Sequence, residues 1–215
     1  MNKLLVFYLS LSILFPFLTI LIRFRNLSES YFPLFLLLLV GVVNELVCYF
    51  FFSHNSSALP TNIYFLLEAL LLIWQFRNWK HVLQNKTRYT IIQVSLAILW
   101  FVDYIVLQNL DKYTLPFNLY ASLLLVLLAV NQLNWLIIND RKNLIKNPIF
   151  LICNAVVIYF SYKIVAEVFY YYATEQSIKR NIFVIEVFVN VVFNILLFLA
   201  ILCITPKKIF TKQLP

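Results

Sequence analysis

Glycine is all but missing from this chain: Gly41 is the single one in 215 residues. A phosphate-cradling loop, a dinucleotide fingerprint and a GxSxG nucleophile elbow each need several glycines for tight turns and close backbone approach, so these chemistries are excluded. Histidine is nearly as scarce. His54 and His81 both fall between apolar runs, which leaves no intramembrane imidazole pair to hold zinc or haem. Cys48, Cys153 and Cys203 each stand alone in an apolar run without a CxxC spacing, and they read as small hydrophobes. No metal and no cofactor is expected.

Charge is the third scarcity, at 12% of residues against 63% hydrophobic and 18% aromatic. That balance is foreign to a soluble domain and points to an integral membrane protein. A spanning helix needs about 20 predominantly apolar residues, and windows near 4–22, 32–52, 62–78, 89–108, 115–137, 148–171 and 183–204 meet this requirement. Each is continuously apolar and far longer than the roughly 10 alternating residues of a membrane barrel strand. The expectation is therefore an all-α, polytopic bundle of seven transmembrane helices, one domain over 1–215. The longest connection, residues 78–88, is too short to fold alone. The first window exceeds a secretory h-region and has no small-residue cleavage site before Arg23, so it reads as a retained helix.

Lysine and arginine choose the orientation. One side carries Arg23, Arg25, Arg77, Lys80, Lys86, Arg88, Arg141, Lys142, Lys146, Lys207, Lys208 and Lys212; the other carries Lys3, Lys112, Lys179 and Arg180. The imbalance places the N-terminus outside and the C-terminus in the cytoplasm, with the lipid bilayer as the first partner. The formal net charge of +8 is then topological, a matter of orientation and anionic-lipid contact, and no nucleic-acid partner is expected.

Six ionisable residues remain inside the apolar windows: Glu45, Glu68, Asp103, Lys163, Glu167 and Glu186. A charge in the bilayer is costly and is kept where it faces a bundle interior or a cavity. The orientation puts all six in the outer half, along with Tyr49, Tyr64, Tyr104, Tyr120, Tyr159, Tyr162, Asn44, Asn62 and Asn118. They differ in weight. Asp103 and Glu186 lie close enough to helix ends to reach the interface. Lys163 and Glu167 are four apart on one helix face and can pair locally. Glu45 and Glu68 have no cation nearby in sequence; they either hold protons or pair with Lys163 across the bundle. In the inner half, Asn131, Asn134 and Asn194 read as interhelical hydrogen-bonding groups. The candidate pocket comprises Glu45, Glu68, Lys163, Glu167, Asn44, Asn62, Tyr64 and Tyr159, with Asp103, Glu186 and Asn190 in secondary positions. Its excess of acids suits a cationic or polar small ligand, or protons.

Two familiar seven-helix classes fit poorly. Retinal proteins carry their lysine on the last helix, whereas Lys163 is on the sixth and the seventh run has none. Arg77 after Gln75 and Phe76, and Pro206 after the last run, lack the G-protein-coupled receptor signatures. A faint echo links Asn62-Ile63-Tyr64 and Glu68 with Asn181-Ile182-Phe183 and Glu186, as a three-plus-one-plus-three duplication would.

Glu45 on the second run, followed by Asn62, Tyr64 and Glu68 on the third, and Asn147, Pro148 and Phe150 leading to Ile158–Ser161 on the sixth, resembles a group of small, uncharacterised bacterial seven-helix membrane proteins. The resemblance covers the second to seventh runs. It implies an architecture and a bacterial inner-membrane location, and no particular activity. Tyr162, Lys163 and Glu167 depart from the group's pattern. Three function classes follow in order: a ligand-binding sensor or receptor-like subunit acting through a cytoplasmic or membrane signalling partner; a small secondary transporter, proton-coupled or not; and, third, a membrane-embedded enzyme using carboxylates as acid and base.

Overall fold

A computed structural model describes residues 3–51, 58–79, 83–109, 114–139 and 144–205. His54, His81, Lys80, Lys112, Arg141, Lys142, Lys207, Lys208 and Lys212 lie outside the described residues. The described residues are overwhelmingly helical and contain no strand. Helices α1 (Lys3–Ser10) and α2 (Leu14–Ile22) continue one another through a tight 3₁₀ turn at Leu11–Ile13. Pro16 accounts for that turn: it has no N–H to give the Ser12 carbonyl, so the backbone tightens one turn earlier.

The remaining helices are α3 (Phe32–Phe51), α4 (Ala58–Asn78), α5 (Lys86–Trp100), α6 (Leu115–Asn139), α7 (Pro148–Tyr172) and α8 (Gln176–Cys203). Pro33, Pro60, Pro116 and Pro148 all sit in first turns, where the missing N–H has no intrahelical acceptor to lose. A π turn at Phe101–Val106 extends α5. Among the described residues six helical segments are long and apolar enough to cross a membrane, whereas the apolar part of the first rod, Phe7–Ile22, is shorter.

Three boundaries differ from the hydropathy windows. α4 begins at Ala58, since Pro60 and Thr61 belong to a helix start rather than to a loop. α8 begins at Gln176, seven residues before the apolar run, because the polar Gln176–Ile182 stretch has good helix formers and nothing to break it. The window at 89–108 is split between α5 and the π turn.

The helices close into a ring. α1 and α2 pack on α8 and α3, α3 on α4, α4 on α5 and α6, α6 on α7, and α7 on α8. The α6–α7–α8 wall is the most extensive, and small buried residues explain its closeness: Ala121 and Ala129 on α6, Cys153, Ala155 and Ala166 on α7, Ala200 on α8. Large apolar side chains such as Ile22, Phe50, Leu127 and Ile138 point outward, the pattern of a lipid-facing surface. The Arg23 guanidinium donates to the Ile201 and Leu202 carbonyls at 2.7 and 2.9 Å, so the ends of α2 and α8 lie at the same face of the bundle. A cation on helix-terminal carbonyls complements the helix dipole.

Candidate functional site

Lys163, on the inward face of α7, reaches across the ring. Its ammonium lies 3.9 Å from Glu68 Oε2 of α4 and 3.1 Å from the centre of the Phe65 ring one turn earlier. Both charged residues are withdrawn from solvent, Lys163 at 4% and Glu68 at 2% relative exposure. The pairing across the bundle is thus the one formed, and the local Lys163–Glu167 pair is not the primary contact. Phe65 supplies a π face to the ammonium in a place where water is excluded. Its part in the site has no counterpart in the sequence reading, where it is one apolar residue among many.

Three further acids surround this pair. Glu167 and Glu186 lie within electrostatic range of Lys163, and Glu167 lies near the Asn118 side chain of α6. Glu45 lies near Ser10 of α1 and within electrostatic range of Tyr64 and Tyr159. Tyr64 donates its hydroxyl to Glu68 Oε1 at 3.2 Å, a contact its i, i+4 spacing on α4 allows. Tyr159, one turn before Lys163, stacks on Phe193 of α8 at 4.7 Å and feels Glu45, Glu68, Glu167 and Glu186 together. Residues from α3, α4, α6, α7 and α8 therefore meet in one polar cluster. Its depth is greater than the windows implied: with α4 starting at Ala58, Glu68 is the eleventh of 21 residues and stands midway along the helix.

The remaining candidates occupy different places. Asn62 is fully buried, and its backbone carbonyl accepts from Trp100 Nε1 at 3.1 Å. Asn44 is half-buried and its Oδ1 accepts from the Cys48 thiol at 3.7 Å. Asn190 is half-buried on α8, four residues past Glu186. Asp103 corrects the expectation of an interfacial side chain. It is 3% exposed, and its Oδ2 accepts from Thr114 Oγ1 at 2.7 Å and from the Phe117 backbone N–H at 3.1 Å, capping the start of α6 from the π turn. A carboxylate placed on unsatisfied first-turn N–H groups is a structural role.

The inner asparagines divide in the same way. Asn194 donates to Ser12 Oγ at 2.8 Å, an interhelical bond between α8 and the α1–α2 turn. Asn131 and Asn134, by contrast, are exposed on the outer face of α6. The α6 face that does turn inward carries Asn118, Ser122 and Gln132 among Ala121, Leu125 and Ala129. Asn118 Oδ1 and both amide atoms of Gln132 are buried without a hydrogen-bond partner. The Asn62 and Asn181 echo meets unlike surroundings, since Asn181 is exposed. Among the described residues no cluster of three or more His, Cys, Asp or Glu side chains is disposed to hold a metal ion.

A ring of apolar helices around an interior cluster of acids, tyrosines and one lysine defines a membrane-type helical bundle with a buried charged site. Compared with protein-family models, curated proteins and solved structures, the chain matches none.

Proposed function

We propose that the chain is a seven-span membrane protein, N-terminus outside, that binds a small cationic ligand at the Lys163–Glu68 cluster and acts as a ligand-binding sensor subunit in a bacterial cell membrane. One observation carries the reading: a single lysine lies within electrostatic range of Glu68, Glu167 and Glu186, with Glu45 near Tyr159 of the same cluster, so the site holds more acidic than basic side chains. An ammonium-bearing ligand replaces the Lys163 ammonium at Glu68, with Phe65 and Tyr159 supplying the aromatic wall that such cations favour. The exchange removes the link between α4 and α7, and this is how occupancy of the site reaches the basic loops and a partner there.

The test uses purified full-length protein in nanodiscs, with methylammonium, choline, putrescine and spermidine as probes and neutral isosteres as controls. Binding to the folded state alone stabilises it by RT ln(1 + [L]/Kd). At least one amine is expected to raise the unfolding temperature of the wild type and not of Glu68→Gln, and a panel without effect overturns the reading.

A transporter is the second reading, favoured by the inward stripe of α6. Asn118, Ser122 and Gln132 lie on one helical face, and the unpaired amide of Gln132 extends polarity from the cluster into the other half of the bundle. Amine uptake into proteoliposomes that depends on Gln132 supports it, and absence of flux removes it.

A further inference from the structure

Two amides stand on the outer face of α6, turned away from the rest of the bundle. Asn131 and Asn134 are exposed, and neither side chain has a hydrogen-bond partner among the described residues. They lie eight and five residues before Asn139, the last residue of the span Leu115–Asn139, which is about 12 and about 7 Å along the helix axis. Ile137 and Ile138 follow them towards that end and are exposed as well, so the apolar band of the surface continues past both asparagines. Hydrocarbon offers an amide neither donor nor acceptor, and an unpaired polar group is costly there. The demand is for a hydrogen-bonding partner at the same depth.

The face is also shaped as a seam. Leu123, Leu127, Val130, Asn134 and Ile137 are all exposed and follow one another at steps of four, three, four and three residues, the 3.5-residue repeat along which two helices interlock. Asn131 flanks the seam beside Val130. Spacing alone does not single out α6. The exposed stripe of α8 from Ile185 to Leu202 has the same repeat, yet it is apolar throughout, as contact with lipid tails requires. A polar residue at one seam position is the device that fixes register and partner number in paired helices. The α6 face with Asn118, Ser122 and Gln132 is turned inward, so a helix docked on the seam does not compete with the charged cluster.

The complementarity names the occupant. A carboxamide carries one acceptor and one donor group and therefore matches a second carboxamide, which another copy of the same seam supplies. Copies of one chain share one orientation in a membrane, so two α6 helices meet in parallel about a two-fold axis along the membrane normal, with equivalent residues facing each other at equal depth. This brings Asn134 to Asn134 whichever side the N-terminus occupies.

We infer that the chain forms a parallel homodimer through the α6 seam, with the two Asn134 amides hydrogen-bonded across the two-fold axis and Asn131 on the flank of the interface. The dimer does not depend on what the interior cluster binds.

Single-molecule photobleaching of the full-length protein in liposomes, over a range of protein-to-lipid ratios, tests it. The wild type is expected to pass from one to two bleaching steps as its density rises, and not beyond two. Asn131→Leu combined with Asn134→Leu is expected to weaken the dimer about tenfold, the effect of losing interhelical amide hydrogen bonds in a membrane. The double variant places apolar side chains on an outward surface and is expected to keep the unfolding temperature of the monomer. Should it not fold, crosslinking decides. With Cys48, Cys153 and Cys203 replaced by alanine, Leu127→Cys on the seam is expected to form a disulfide with its own copy under mild oxidation, and Leu199→Cys on the apolar α8 stripe is expected not to. Monomers at every density overturn the inference. So does a dimer equally strong in wild type and double variant, or crosslinking at Leu199→Cys as efficient as at Leu127→Cys.

Discussion

The Lys163 ammonium of α7 lies 3.9 Å from the Glu68 carboxylate of α4, across the interior of the bundle. Removing either partner alone leaves a buried charge without its counter-charge, which costs about 3–5 kcal/mol, whereas removing both costs little. Lys163→Met and Glu68→Leu are each expected to lower the unfolding temperature sharply, and the double variant to recover most of the loss. Thermal unfolding in nanodiscs reads the cycle, and additive losses would place the two residues apart.

Asp103 makes a separate and purely structural contribution. Asp103→Ala leaves the Phe117 N–H and the Thr114 hydroxyl without their acceptor, and a lost helix cap costs about 1–2 kcal/mol. The expected signature is a destabilised fold with faster amide exchange in the first turn of α6 and unchanged amine binding.

Arg23 holds the last turn of α8. Arg23→Gln gives up the bonds to the Ile201 and Leu202 carbonyls, and a cation on helix-terminal carbonyls is worth about 1–2 kcal/mol. Hydrogen exchange is expected to rise at Cys203 and Ile204 and to stay unchanged at the start of α8.

At Gly41 the Ile13 side chain of the first rod lies against α3. A Cβ there meets the Ile13 Cδ1 atom and stands 3.5 Å from the Tyr64 hydroxyl. Gly41→Leu is expected to destabilise by about 1–3 kcal/mol through overpacking. Gly41→Ala combined with Ile13→Ala is expected to fare better than Gly41→Ala alone, because the clash falls on the far end of one flexible side chain.

Hydropathy located the six segments that, among the described residues, are long and apolar enough to span a membrane, since a bilayer-length apolar run has few other uses; the first window is instead a shorter rod broken at Leu11–Ile13. It misplaced ends where chemistry other than hydropathy decides. Gln176–Ile182 is polar yet helical, and Pro60 opens α4 rather than closing a loop. Helix spacing alone could place Tyr64 on Glu68, because residues four apart meet on one helix. The cross-bundle pair was legible only as one of two options for Lys163, and nothing local distinguishes them. The cap formed by Asp103 was not legible at all: it depends on a π turn that bends the chain so that Thr114 and Phe117 come back to residue 103. Asn131 and Asn134 were misassigned because a polar residue in an apolar run shows its presence and not the face it occupies.

The claim that the interior cluster is a cation site reached from outside has a direct test. With Cys48, Cys153 and Cys203 replaced by alanine, Tyr64→Cys puts a thiol beside Glu68 while keeping every acid in place. Intact cells are treated with two membrane-impermeant methanethiosulfonates, one bearing trimethylammonium and one bearing sulfonate. The expected result is labelling from outside by the cationic reagent at least about tenfold faster than by the anionic one, as a site that selects cations over anions demands. Labelling at equal rates by both reagents, or only in inverted vesicles, contradicts the account.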